Sequence, residues 1–528
     1  MRALSEAAAS ALDLELAWRR VKFDRPDRCF ISHPHLLHWI EQDLEGWIRH
    51  IQAELLSGYV PRPALRCLEP KEKALVRPGA VLDVVDEVVY NAVVGACYTP
   101  FLIHIGSAQG DPDVAYQLRH SDRTVAWLKR GFPVWTEWRL TSLQRLDSGA
   151  LFVVVSDIAG CYENIDLHRL RSDIRLPAIR DDLLDLLMDC LNRWAHPRGK
   201  GIPQGYSASD ILAKMYLAPL DEGLRNAGFD HLRYVDDLRI FCSTLRQAKQ
   251  ALLLLAELLA DRGLNVQTAK TEILDGAIAR TRIDGLAPLV ETVDREVREE
   301  LERAADALGP YATATDVEEI ISRAGPRATV TALERTFRDH FIAAGVTFNK
   351  TLLHYLLNRL GTQKSPVAVG YAIDLLRTRP EETVPALRYL ATPGLVGDVE
   401  SDVLQYALSD DAIYDHQIFR IAEWFWHRGI LRSPLLAAAR QWAFDRNRDP
   451  WLRSYALAIL GAAGNRADLE RVETSYGEAT SDVERADIVA ALKRMEVGRR
   501  NAFFGRVRGD GELVRRAIAA AQAAKSLS

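Results

Sequence analysis

An α+β unit followed by an all-α region is the fold class this 528-residue sequence predicts, and three observations carry it. Up to about residue 280, helical patterns alternate with short β-branched runs such as Leu151-Phe-Val-Val-Val155 and Leu238-Arg-Ile-Phe241. From roughly residue 290 the strands stop and successive amphipathic helices follow, with helix-opening signals at Ser365-Pro366, near Asp410-Asp411 and at Asp449-Pro450. Those signals recur about every 42 residues, the spacing of paired-helix, HEAT-like repeats. In the last unit, Pro450-Trp-Leu-Arg453, Tyr455-Ala-Leu-Ala458 and Leu460-Gly461 set apolar positions three and four apart, as a helix facing one neighbour requires. An irregular helical bundle is the alternative for the same pattern.

A chain this long exceeds one ordinary core, so two to four domains are expected. With 48% apolar and 26% charged residues the composition is that of a soluble protein. Glu6, Asp13 and Glu15 interrupt any signal-peptide core, and the longest apolar run, Ala251 to Ala260, carries Glu257. The expectation is a cytoplasmic protein with no membrane partner. Six cysteines (Cys29, Cys67, Cys97, Cys161, Cys190, Cys242) form no CxxC pair, which argues for small core residues rather than a zinc site or disulfide frame. A net charge of -5 points away from indiscriminate nucleic-acid binding. Two local clusters, Arg62, Arg66, Lys71, Lys73 and Arg77, then Arg119, Arg123, Lys129, Arg130 and Arg139, could track phosphates or form solvated helix faces.

The carboxylates are the sharpest feature. Phe152-Val-Val-Val155-Ser156-Asp157 reads as a buried strand ending in an aspartate where the chain leaves the sheet. Around Asp236-Asp237, Leu232-Arg-Tyr-Val235 and Leu238-Arg-Ile-Phe-Cys242 predict a hairpin with both carboxylates at its tip. Carboxylates from two such segments could converge on Mg²⁺, with Mn²⁺ a substitute, to activate a 3′-hydroxyl and neutralise departing pyrophosphate. Asp157, Asp236 and Asp237 are the candidate catalytic residues and metal ligands.

Four motifs in one order resemble those of the reverse transcriptases. Ser156-Asp157-Ile-Ala-Gly-Cys-Tyr162-Glu-Asn-Ile165-Asp is similar to the first palm motif, Gly201-Ile-Pro-Gln204-Gly205-Tyr-Ser-Ala-Ser209 to the second, Tyr234-Val-Asp-Asp237 to the third, and Gly263-Leu-Asn265 to Lys270-Thr271 to the fourth. Upstream, Pro70-Lys71, Arg77-Pro78 and Asp86-Glu-Val-Val89 resemble the fingers segment. The resemblance spans roughly residues 15 to 290 and implies a right-hand polymerase: N-terminal region and fingers in 1–150, palm in 151–285 with a fingers insertion near 165–200, a thumb-like helical region in 286–350, and HEAT-like repeats in 351–528. It also implies an RNA-directed DNA polymerase using dNTPs on RNA or single-stranded DNA.

Carried onto these positions, Tyr162 is a steric gate lying beneath the incoming sugar, where a flat ring excludes a 2′-hydroxyl. Gln204 and Gly205 form a backbone-close turn beside the templating pair. Lys71 and Arg77 offer cations to the triphosphate, and Lys270 could protonate pyrophosphate. Each residue also has a plainer reading, as a core tyrosine, a helix-entry turn, a solvated cation or an inert strand-edge lysine.

No RNase H-like acidic set, maturase-like segment or Val-Thr-Gly triplet occurs, while Ile105-Gly-Ser-Ala-Gln-Gly-Asp-Pro112 departs from the usual template-contacting segment. A polymerase with a helical-repeat tail resembles the bacterial abortive-infection and "unknown group" reverse transcriptases of phage defence. That resemblance implies homo-oligomers, an associated non-coding RNA, and synthesis that is untemplated or primed by a protein hydroxyl, with Tyr406, Tyr414 and Tyr455 as tail tyrosines. Trp424-Phe425-Trp426 and the arginines from Arg499 to Arg516 read as repeat core and helix ends, or as nucleic-acid contacts. Two alternatives stay open: a retron-like or mobile-element enzyme copying a defined RNA, and a catalytically inert scaffold.

Overall fold

The computed structural model describes residues 3–28, 30–105, 111–129, 132–284, 330–343, 348–392, 394 and 399–523. Most of the expected thumb-like region, 286–329 and 344–347, lies outside these, as do Cys29, Arg130 and 106–110. The chain divides into two compact units. The first comprises Met1–Ser32, Asp43–Cys67 and Pro78–Gly285; the second comprises His33–Gln42, Leu68–Arg77 and Leu286–Ser528.

The first unit is α+β. Helices α1 (Leu14–Arg28) and α2 (Leu44–Ser57) precede strands β1 (Leu65–Pro70) and β2 (Val76–Val81), which pair as a small sheet. Next come α3 (Val84–Ile105), α4 (Phe132–Asp147), β3 (Phe152–Asp157), α5 (Leu167–Ile174), α6 (Asp181–Trp194), α7 (Ser207–Asn226), β4 (Asp230–Tyr234), β5 (Asp237–Cys242), α8 (Leu245–Asp261), β6 (Glu272–Asp275) and α9 (Gly276–Asp284). The second sheet is antiparallel with strand order β4-β5-β3-β6. Its β-branched central strand β3 therefore has a neighbour on each side, and Val153 and Val154 are fully buried on opposite faces. Val153, Leu232, Phe241 and Leu274 pack with Trp138 and Leu146 of α4 and with Ala279 and Ile283 of α9. Helix α8, capped by Thr244 accepting the Gln247 N–H, also packs on β3 and β5.

Among the described residues α3 is the one helix long and apolar enough to cross a membrane by length and composition. Its residues from Val84 to Val94, with Cys97, Tyr98 and Phe101, are buried in this unit, as a central core helix requires. The five described cysteines are all buried.

Among the described residues of the second unit, ten α-helices run from Val369 onward, after α10 (Lys350–Thr362): α11 (Val369–Thr378), α12 (Thr383–Leu390), α13 (Val399–Ala407), α14 (Asp415–His427), α15 (Ser433–Phe444), α16 (Pro450–Ala463), α17 (Arg466–Thr474), α18 (Asp482–Ala491), α19 (Val497–Val507) and α20 (Glu512–Ala523). Proline at the first position of α16 follows the Asp449 cap, and Asn465 and Asp468 close a capping box on α17. Contacts run from α10 to α12, α14, α16, α18 and α20 in succession, so each helix of this row packs against the next but one in sequence. Helix α16 departs from a one-sided amphipathic pattern: every residue from Trp451 to Gly461 is buried. It packs against α14, α15 and α18, and the approach to α18 is close at Gly461, where an added Cβ would stand 2.4 Å from the Ala491 Cα.

Trp424 and Phe425 are core residues, with the Trp424 indole donating to the Leu387 carbonyl at 2.8 Å. Tyr406 and Tyr455 are buried, whereas Tyr414 is half-buried and donates to the Ala74 carbonyl at 3.4 Å. Arg499, Arg506, Arg515 and Arg516 are held by Glu470, Glu473 and Glu512, which accounts for most of the C-terminal basic run.

Candidate active site

The two carboxylate segments meet in the sheet. Asp157, the last residue of β3, stands in register with Asp237, the first residue of β5. Asp236 sits in the two-residue turn that joins β4 to β5, since Tyr234 pairs with Asp237. Val235, the other turn residue, has φ 62, a left-handed conformation that a β-branched residue adopts only when surrounding contacts impose it. The Asp236 carbonyl accepts the Ile158 N–H at 3.0 Å, which ties the turn to the chain leaving β3.

Burial, followed by repulsion from Asp236 and Asp157, raises the Asp237 carboxyl to about 6, although Lys270 and Arg239 pull it down. Lys270 donates to Asp157 Oδ2 at 2.6 Å. Its segment is placed by the backbone: Ala159 N–H donates to the Asn265 carbonyl at 2.9 Å and Gln267 N–H to the Asp157 carbonyl at 2.7 Å. Partial burial opposes the Lys270 charge, but Asp157, then Asp237 and Asp236, raise its pKa above the ordinary lysine value. The Cys161 thiol beside them is pushed up to about 12, by burial first and then by Asp236.

Tyr162 lies five residues beyond Asp157, in the short helix Cys161–Asn164, and is 6% exposed. Its hydroxyl donates to Asp210 Oδ1 at 2.5 Å and shares a hydrogen bond of 2.5 Å with the Tyr116 hydroxyl. The Tyr162 carbonyl accepts the Ile202 N–H at 3.0 Å, which brings the loop of Gln204 and Gly205 alongside it. That loop turns through Gly205 at φ 95 and opens α7, as its sequence predicts. Asp157, Tyr162, Gln204, Gly205, Asp236, Asp237 and Lys270 thus belong to one unit. Lys71, just after β1, and Arg77, near the start of β2, lie in the stretch Leu68–Arg77 that counts with the other unit, where Arg77 pairs with Glu69 of β1 at 3.0 Å.

Sequence reasoning missed a buried ionic layer under the turn. Arg233 of β4 is fully buried; its Nε and Nη2 donate to Asp221 at 3.0 and 2.6 Å, Nη2 also to Asp113 at 3.1 Å, and Nη1 to the Val235 carbonyl at 3.0 Å. Lys214 joins Asp113 at 3.2 Å and Asp111 at 2.7 Å, and His231 faces Asp221 at 3.2 Å. Despite the cost of burial, Arg233 holds the Asp221 carboxyl well below the usual range. One signal was readable: period-two alternation puts His231 and Arg233 on one face of β4, opposite Leu232, so that face had to carry paired charge if buried.

Residues 94–298 match the family model described as "Reverse transcriptase (RNA-dependent DNA polymerase)". Among solved structures the chain is similar to telomerase from Candida albicans in complex with a TWJ fragment of telomeric RNA, at 12% identity and a TM-score of 0.28, over 72% of this chain and 70% of that one. No curated protein matches it. The chain carries a reverse transcriptase domain, an RNA-directed DNA polymerase, within its first unit and the stretch that follows.

Proposed function

We propose that this domain extends DNA by transferring deoxynucleotides to a hydroxyl, with Asp157, Asp236 and Asp237 as the catalytic carboxylates. The observation that carries the reading is the register of Asp157 with Asp237, with Asp236 in the adjoining turn. The donor set fits a hydrated divalent cation. Oxygen ligands of this kind suit Mg²⁺, which takes few protein groups, and the Lys270 ammonium on Asp157 already stands where positive charge is wanted. Among the described residues no three carboxylate, imidazole or thiol groups stand together as a metal site; Mg²⁺ takes few protein ligands and completes its shell with water and substrate phosphates. When bound, Mg²⁺ or Mn²⁺ would lower the pKa of the attacking hydroxyl and offset charge on the leaving pyrophosphate.

The chain's own residues supply the rest. Lys270 hands a proton to the departing pyrophosphate, the Tyr162 ring excludes a 2′-hydroxyl, and the Gln204-Gly205 turn lets backbone approach the templating pair. Lys71 and Arg77 stay cationic candidates for phosphate from their resemblance to the fingers segment, and Arg77 is paired with Glu69. The row of next-but-one helix contacts supports HEAT-like repeats in the second unit. A polymerase followed by such a tail supports assignment to the abortive-infection and "unknown group" reverse transcriptases, with a role in phage defence.

The test is incorporation of labelled dNTPs by the purified chain with Mg²⁺ or Mn²⁺, with and without added RNA, followed by protease treatment. Label incorporated by the wild type and lost in Asp236→Asn supports the reading. No incorporation under any of these conditions refutes it. A product whose mobility shifts on proteolysis identifies a protein primer.

A further inference from the structure

We infer that Asp113 is a positioning residue that sets the metal-binding turn and the sugar gate of the polymerase together, an inference that rests on the proposed function and deepens it. Asp113 is fully buried, so its charge must be compensated by partners held in place. Its two oxygens serve different parts of the site. Oδ2 takes Arg233 Nη2 at 3.1 Å and Lys214 Nζ at 3.2 Å, while Oδ1 accepts the Tyr116 N–H at 3.1 Å.

The first branch reaches the turn. The backbone locks Asp113 beside Arg233: Arg233 N–H donates to the Pro112 carbonyl at 2.7 Å and Val114 N–H to the Arg233 carbonyl at 2.9 Å, a parallel bridge on the β4 edge. With Asp221 and Asp113 fixing its Nε and Nη2, the guanidinium aims Nη1 at the carbonyl of Val235, the residue with positive φ next to Asp236. A planar donor fork held on two edges is a rigid strut for its third.

The second branch reaches the gate. The N–H accepted by Asp113 fixes Tyr116, whose hydroxyl is hydrogen-bonded to the Tyr162 hydroxyl at 2.5 Å and is the donor there, since Tyr162 gives its own proton to Asp210. Tyr162 is also bound by Asp210, which stands one turn before Lys214 on α7, and Lys214 returns to Asp113. The circuit closes: one carboxylate orients both the residue that shapes the turn and the residue that steadies the ring.

Two variants separate these branches. Tyr116→Phe removes one hydroxyl from the gate and leaves the ion layer whole; Asp113→Asn keeps size and an acceptor for Tyr116 but leaves Arg233 and Lys214 short of one negative charge. Steady-state incorporation of dNTP and NTP is measured for each, with thermal melting as a fold control and Tyr162→Ala as the benchmark of a lost gate. Tyr116→Phe is expected to lower the dNTP to NTP preference about fivefold, the worth of one hydrogen bond. Asp113→Asn is expected to lower kcat for dNTP about tenfold or more with little change in KM, together with the preference. A merely structural role would lower the melting temperature and the amount of active protein without moving the preference. An active wild type with an unmoved preference in Tyr116→Phe overturns the inference alone, and that variant decides the matter even if Asp113→Asn does not fold. An inactive wild type overturns the proposed function and the inference with it.

Discussion

Asp157 ends β3 directly across the sheet from Asp237, which begins β5, so two residues eighty apart in sequence are fixed by a single register of antiparallel pairing. A one-residue slip would turn one of them to the opposite face. The alternation at the start of β5, with Leu238 and Ile240 fully buried and Asp237 and Arg239 less so, opposes that slip, since it would exchange these apolar and charged side chains between faces.

Asp236→Asn should therefore remove charge without disturbing the pairing. Incorporation is expected to fall on the order of a thousandfold, as several kcal/mol of transition-state charge stabilisation are lost. Melting temperature should stay within a few degrees of wild type. Nucleotide incorporation at the wild-type rate would remove Asp236 from the site.

Lys270→Met tests proton delivery. The loss expected in single-turnover incorporation is about a hundredfold, the range of general-acid catalysis, and it should be smaller with substrates whose leaving group needs no proton. An equal loss on both kinds of substrate would leave Lys270 only the role of ion-pair partner to Asp157.

Glu87 gives a pH test in the core of the first unit. Burial raises its carboxyl to about 7, with Arg25 acting in the opposite direction. Between the unfolded value of 4.5 and about 7 the folded chain keeps the proton that the unfolded chain has released, so this group lowers stability as pH rises through that window. Glu87→Gln imitates the protonated form. It should melt several degrees above wild type at pH 8, an effect on the order of a few kcal/mol, and the difference should vanish near pH 4.5. A gap independent of pH would show that Glu87 is ionised in the fold.

Gly461→Val should destabilise the second unit by about 1–3 kcal/mol, because its Cβ meets the backbone of α18 rather than a movable side chain. Thermal unfolding reads this directly. An unchanged melting temperature would mean that α16 and α18 can separate freely.

Residues whose roles depend on local chain order were legible in the sequence. Asp157 at a strand end, Asp236-Asp237 at a hairpin and Gln204-Gly205 before a helix each declare themselves within a few neighbours. Asp113 and Arg233 did not, since their pairing depends on which segment extends the β4 edge, and nothing within either segment specifies it. Lys71 and Arg77 show the same limit: their sequence neighbourhood resembles the fingers, while Leu68–Arg77 clusters with the later helices. The alternation of helices after residue 350 was readable, but the burial of α16 on every side was not, because periodicity registers one covered face and is blind to a second partner brought close by a glycine.

That full enclosure of α16 dictates where the chain can be shortened. A truncation placed between Ala463 and Asp482 would strip away α18 and lay bare to water the face of α16 around Gly461 that it covers. Such a fragment should aggregate, so any trimming of this protein that aims for a soluble product has to retain the final helices or stop well ahead of Pro450.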